Sequence, residues 1–281
     1  MNRLLSYLVV ILGLIAIGAG LYLWLQPRDD APVATITPPA GHSDALAEQE
    51  ELPPPPAEPQ PEIQHPIEQP PAPDPALAEA PYIGVAMSRL VGREALLALF
   101  NLDRFVYRAV ATIDNLARPH AAPALWPVNP TPGRFATEGA APGERIAAAN
   151  YARYRAFVTA VTRVDSAQAV ALYRQLYPQF QQAYEELGYP RGYFNDRLVA
   201  VIDHLLATPE PGEPVAVVLP EVKGPHEMRR PWVRYEYADA SLEALSSGQR
   251  MLLRMGPENR KALKAKLAEI RRLLVRDAPH N

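Results

Sequence analysis

A mainly α protein on a single N-terminal transmembrane helix is what three observations predict. There is an unbroken apolar run near the start, an abrupt proline-rich interval after it, and a succession of helical stripes in the rest of the chain. They divide the 281 residues into an anchor (1–26), a disordered linker (27–80) and a compact exported domain (81–281) with at most a small two-stranded ribbon.

The anchor is Leu4 to Leu25, "LLSYLVVILGLIAIGAGLYLWL", which holds no charged residue. At about 1.5 Å per residue it reaches roughly 33 Å, enough to cross a hydrocarbon core. A cleaved signal peptide would have a shorter apolar region, about 7–15 residues, ending at a small-x-small site. Here the run continues past Gly18 and Gly20, and Tyr22 and Trp24 stand where interfacial aromatics belong. Arg3 and the terminal amine on one side against Arg28 on the other favour a cytoplasmic N-terminus and a periplasmic body.

From Pro27 to Ala80 there are 15 prolines, 11 acidic residues, one arginine and no aromatic. Such a composition cannot bury enough apolar surface to offset its ordering entropy. Stretches such as "LPPPPAEPQPE" favour extended polyproline II, a spacer of at most roughly 170 Å. The chain as a whole carries −3, so the acidic linker leaves the body basic. No cysteine is present to form a disulfide, act as a nucleophile or bind a metal.

In the body, "NLDRFVYRAVATIDNLAR" (101–118) has helical spacing through Phe105, Val106, Val110 and Ile113, and Pro119 stops it. A long loop rich in proline and glycine follows, of the kind usually functional or mobile. Helices resume at Arg145 and, with Asp165 or Ser166 as N-cap, after residue 165. Pro178 should kink or divide the latter, and Gly188 should end it in a left-handed conformation. Asn195 is the expected N-cap of "DRLVAVIDHLLA". "EPVAVVLP" and "PWVRYEY" read as a ribbon, and Pro257 with Glu258 start the last helix.

The motifs "TIDNLAR", "NYARY", "QQAYEELGYPRGYFNDRLVAVIDHLLATPE" and "YADASLEALSSGQRMLLRMGPENRKALKAKLAEIR" resemble a proteobacterial family, domain of unknown function 3014. The resemblance implies a single-pass bacterial inner-membrane protein with a proline-rich spacer, and it supplies no catalytic residues.

The densest polar and aromatic corner is "AYEELGYPRGYFNDRLVAVIDHLLATPE". Its candidate binding residues are Tyr184, Tyr189, Tyr193, Asn195, Asp196, Arg197, Asp203 and His204. Asp196 and Asp203 share a helix face, and two carboxylates are the minimum for glycoside hydrolysis. The structural account of the same residues is that Asp196 serves the helix dipole, Arg197 pairs with Glu185 or Glu186, and the tyrosines seal a core. Asp203 and His204 point about 100° apart, so they form no dyad. The six histidines are scattered without metal-ligand spacing, and no phosphate loop or nucleophile elbow is present. The last helix carries Arg260, Lys261, Lys264, Lys266, Arg271, Arg272 and Arg276 around an apolar line, as a solvated basic face would. The expected role is a binding or scaffold module for an envelope protein or cell-wall polymer, with no cofactor, metal or nucleic acid. The alternative is a cell-wall glycan-acting enzyme using Asp196 and Asp203.

Overall fold

The computed structural model describes residues 62–67, 80–221 and 230–275. The expected anchor at Leu4 to Leu25 and most of the expected linker lie outside them. Among the described residues, no helix is long and apolar enough to cross a membrane.

The body is mainly helical. Helices α1 (Ala80–Val91), α2 (Arg93–Leu99) and α3 (Phe105–Leu116) come first. The α3 helix starts later than its apolar spacing predicts. Asn101 Oδ1 accepts from the Asp103 N–H at 3.0 Å, closing a local turn, and Arg104 is left-handed at φ 48°. Next come α4 (Ala148–Ala152) and α5 (Arg155–Arg163), then α6 (Ser166–Gln175) and α7 (Tyr177–Glu186). Asp165 caps α6 by accepting from the Gln168 N–H at 2.9 Å. Pro178 divides α6 from α7 as expected, because its missing N–H is tolerated only in a first turn. The series ends with α8 (Phe194–Leu206), α9 (Ala240–Glu243), α10 (Ser247–Arg254) and α11 (Pro257–Val275).

The ribbon expected from "EPVAVVLP" and "PWVRYEY" forms as an antiparallel pair, Val217–Val218 against Glu236–Tyr237. A second ribbon was not anticipated: Thr137–Glu138 pairs with Arg145–Ile146. The residues at Arg145 read as helix, but Ile146 is fully buried and its N–H donates to the Val215 carbonyl at 2.9 Å. The long loop before it is tied down by side chains. Arg153 donates to the carbonyls of Pro132 (2.9 Å) and Gly133 (3.1 Å), and Thr112 to that of Leu125 (3.0 Å).

Two neighbouring cores hold the longer helices, and a further cluster of Ile146, Val215, Val217, Tyr237, Leu242 and Leu253 joins α9 and α10 to the ribbons. In one, α3 packs on α7 and α8 through Val110, Tyr177, Phe180, Tyr184 and Phe194. In the other, α11 lies on α5, α6 and α8 through Val158, Val170, Val201, Ile202, Leu263 and Leu274. Each fully buried side chain of this size contributes about 1.5–3 kcal/mol. The α8 helix belongs to both cores, which makes its N-terminus a rigid platform.

Candidate functional site: a main-chain clamp at the start of α8

The platform begins with aromatic packing. Tyr173, Tyr177, Phe180, Tyr184 and Phe194 form edge-on, tilted and stacked pairs with ring centroids 5.2–6.4 Å apart. Burial pushes the Tyr177 phenol strongly upward, reinforced by the Tyr193 hydroxyl, and burial likewise raises Tyr173. Both phenols therefore stay neutral and can donate and accept.

These groups take over the work expected of Asn195. The residue at the α8 cap position is Tyr193, in extended conformation and with no side-chain cap. The helix's unpaired N–H groups are satisfied from α7 instead. Phe194 donates to Gln181 Oε1 at 2.9 Å, and Asn195 donates to the Tyr177 hydroxyl at 3.4 Å. Gln181 is itself positioned by donating to the Gly192 carbonyl at 2.8 Å. Asn195 is thus no N-cap but a fully buried residue inside the first turn. Its Oδ1 accepts from the Tyr173 hydroxyl at 3.3 Å, which leaves Nδ2 to face outward.

What Nδ2 meets is a piece of chain read from the sequence as linker. Residues 62–67, "EIQHPI", lie on the start of α8. Asn195 Nδ2 donates to the His65 carbonyl at 2.8 Å. The Asp196 carboxylate accepts from two successive amides, Gln64 N–H at 3.0 Å and His65 N–H at 2.7 Å. Tyr193 accepts from the Ile67 N–H at 2.8 Å, and Ile67 packs against the aromatic core. All four bonds go to main-chain atoms of the segment.

The remaining candidate residues make contacts within the helical body. Tyr184 stacks on Tyr189 at 4.5 Å, and the Tyr189 hydroxyl donates to buried Asp114 at 3.2 Å. Arg197 does not pair with Glu185 or Glu186, which accept from Gln181 and Gln182. It reaches α3 instead, donating to Asp114 Oδ1 at 2.9 Å and to the Asp114 carbonyl at 2.8 Å. Asp203 holds Arg271 of α11 in a forked pair, with Nη2 at 2.9 Å from Oδ2. His204 shares a 2.9 Å hydrogen bond with Ser246, whose capping box with Gln249 starts α10.

The last helix is also less open than a solvated basic face would be. Arg260 is buried and paired with Glu210 and Glu213, Lys264 with Glu210, and Lys266 with Glu269. Lys261 and Arg272 are exposed. Among the described residues, no cluster of His, Cys, Asp and Glu could hold a metal ion.

The chain thus folds as a helical body that holds residues 64–67 of its own main chain at the start of α8. The family model described as "Protein of unknown function (DUF3014)" matches residues 105–271, and the chain belongs to that family. The match spans α3 to the greater part of α11, so the gripping residues lie inside it and residues 62–67 outside it. No curated protein matches the chain, and no solved structure does.

Proposed function

We propose that the protein is a membrane-anchored component of the bacterial envelope whose periplasmic body is a binding or scaffold module for a partner protein or cell-wall polymer. One observation carries the binding reading: Tyr193, Asn195 and Asp196 make four hydrogen bonds to the main chain of residues 64–67 lying on the helical body. The anchor and the location rest on the uncharged run Leu4 to Leu25 and the charges beside it. The glycan-hydrolysing alternative needs two carboxyls facing one substrate. Asp196 and Asp203 lie about 10 Å apart along the α8 axis. One holds the 62–67 segment and the other an arginine.

Two measurements test this reading. A reporter fused after Asn281 should be active only in its periplasmic form. A cytoplasm-only signal overturns the location. Pull-down of the full chain from envelope extracts should recover a partner at moderate salt, and recovery of nothing above background at any salt concentration removes the module reading.

A further inference from the structure

We infer that the corner formed by Tyr193, Asn195 and Asp196 is a binding site for a partner peptide of the pattern x-x-Pro-aliphatic, and that residues 62–67 occupy it in cis as a displaceable placeholder. The inference deepens the binding-module reading and rests on it.

The pattern follows from which atoms are gripped. The amides used belong to residues 64, 65 and 67, and the one carbonyl used belongs to residue 65. Position 66 is proline, which has no N–H to offer. That proline also disfavours the helical region for residue 65, and the chain bends at Gln64 and His65, which turns their two successive amides toward one carboxylate. Side-chain selection comes from Ile67, the segment's residue that packs against the aromatic core. Ile63 and Gln64 stand exposed, so they are unconstrained positions. Many sequences satisfy such a site, as in other modes in which main-chain hydrogen bonds give affinity and side-chain pockets give specificity.

Two observations argue for a placeholder rather than a fixed strap. His65 Nδ1 is buried without a hydrogen-bond partner. A buried polar atom left unpaired costs free energy comparable to what one or two of the four bonds contribute. The cis segment is therefore an imperfect ligand, and a peptide with a smaller or apolar residue at that position fits better. In addition, only a dozen residues join Ile67 to the start of α1. Attachment that short gives an effective concentration on the order of millimolar, so even a weak ligand fills the corner until a better one competes. Occupation in cis also gives Asn195, otherwise a buried amide, its second partner.

The test uses the full chain in detergent and a labelled nine-residue peptide, PEIQHPIEQ, copied from residues 61–69. In the variant His65→Pro with Ile67→Pro, two of the three gripped amides of the cis segment are removed. The peptide should bind this variant at least tenfold more tightly than wild type. Adding Asp196→Ala should abolish that binding while the melting transition persists. A peptide with proline at the positions of His65 and Ile67 should not bind. In wild type, excess PEIQHPIEQ should speed hydrogen exchange of the Gln64, His65 and Ile67 amides, a readout independent of any variant's folding. Binding no tighter than to wild type, binding that survives Asp196→Ala, loss of the melting transition in the double-proline variant, or unchanged exchange in wild type would each overturn the inference. Failure here with the envelope pull-down intact removes only the peptide site. Peptide binding with an empty pull-down removes the envelope partner.

Discussion

The guanidinium of Arg260, 1% exposed, donates through Nε to the carboxylate of Glu210 at 2.7 Å, and Glu210 is itself 58% exposed. Its Nη1 donates to Glu213 at 3.2 Å, and Glu213 also accepts from the Tyr151 hydroxyl at 2.9 Å. The pairing ties the start of α11 to the segment that follows α8.

Removing Arg260 leaves a large cavity and strips Glu213 of its charged partner. Breaking a buried pair from one side costs about 3–5 kcal/mol. The Glu210 side of this pair is solvated, so Arg260→Ala should fall near the bottom of that range, about 3 kcal/mol in urea unfolding. Arg260→Met, which keeps most of the volume, should lose less. An Arg260→Ala variant as stable as wild type would show that α11 is held by its apolar line alone.

The same pair sets a pH dependence. Lys264 foremost, and Arg260 with it, hold the Glu210 carboxyl below its ordinary value. A carboxyl whose pKa is lowered by folding contributes stability that is fully present above the unfolded value, about 4.3. That contribution is lost as pH falls through the lower folded value. Glu210→Gln should therefore melt below wild type at pH 7, and the gap should narrow as pH falls below the ordinary carboxyl range. A difference that stays constant as pH falls would remove Glu210 from the acid response.

How far the sequence reveals this arrangement depends on the range of the forces involved. Local signals were legible: Pro178 divides two helices, Asp165 caps α6, and Pro257 opens α11. The ribbon of Val217–Val218 and Glu236–Tyr237 also follows from its alternating residues. Partners distant in sequence were not. Arg197 and Asp114 are 83 residues apart, and Asp196 and His65 are 131 apart. Asn195 looked like a cap because its position and type suit one, yet Gln181 and Tyr177 reach across from α7 to satisfy the same amides. The "EIQHPI" segment sits in an acidic, proline-dense stretch whose composition alone argues against order. Its one hint is a pair of isoleucines flanking Gln-His-Pro. The site residues Tyr193, Asn195 and Asp196 were singled out from the corner's density, whereas Tyr173, Tyr177 and Gln181 were not, because they resemble ordinary packing.

Asp114 tests the other half of the corner. Buried near the end of α3, it accepts from Arg197, Arg118 and Tyr189. Asp114→Ala should cost about 2–4 kcal/mol, since it leaves a partly buried guanidinium without its carboxylate. Arg197→Ala should lose a similar amount. If Arg197→Ala instead melts like wild type, the pair is a surface contact worth little.

The turn between α7 and α8 allows a sharper comparison, because its residues differ in why they are needed. Gly188 has φ +104° with open space around a would-be Cβ, so only backbone strain opposes a side chain there. Gly188→Ala should cost about 1 kcal/mol. Gly192 lies outside the left-handed region, but a Cβ would stand 2.7 Å from Tyr184 Cε1 and 3.1 Å from Tyr189 Cβ. These are the stacked rings beside Asp114, and they can shift only by disturbing that stack. Gly192→Ala should therefore cost about 1–3 kcal/mol, as overpacking does. Asn195→Ala removes no cap. It leaves the Tyr173 hydroxyl and the His65 carbonyl short of a partner, about 1–3 kcal/mol. Gly188→Ala and Asn195→Ala separate in a second measurement, hydrogen exchange at the Gln64 and His65 amides. Gly188→Ala should leave these amides as protected as in wild type, whereas Asn195→Ala should expose them even where the body stays folded. Equal protection in the two variants would show that Asn195 supports the helix start and contributes nothing to holding the segment.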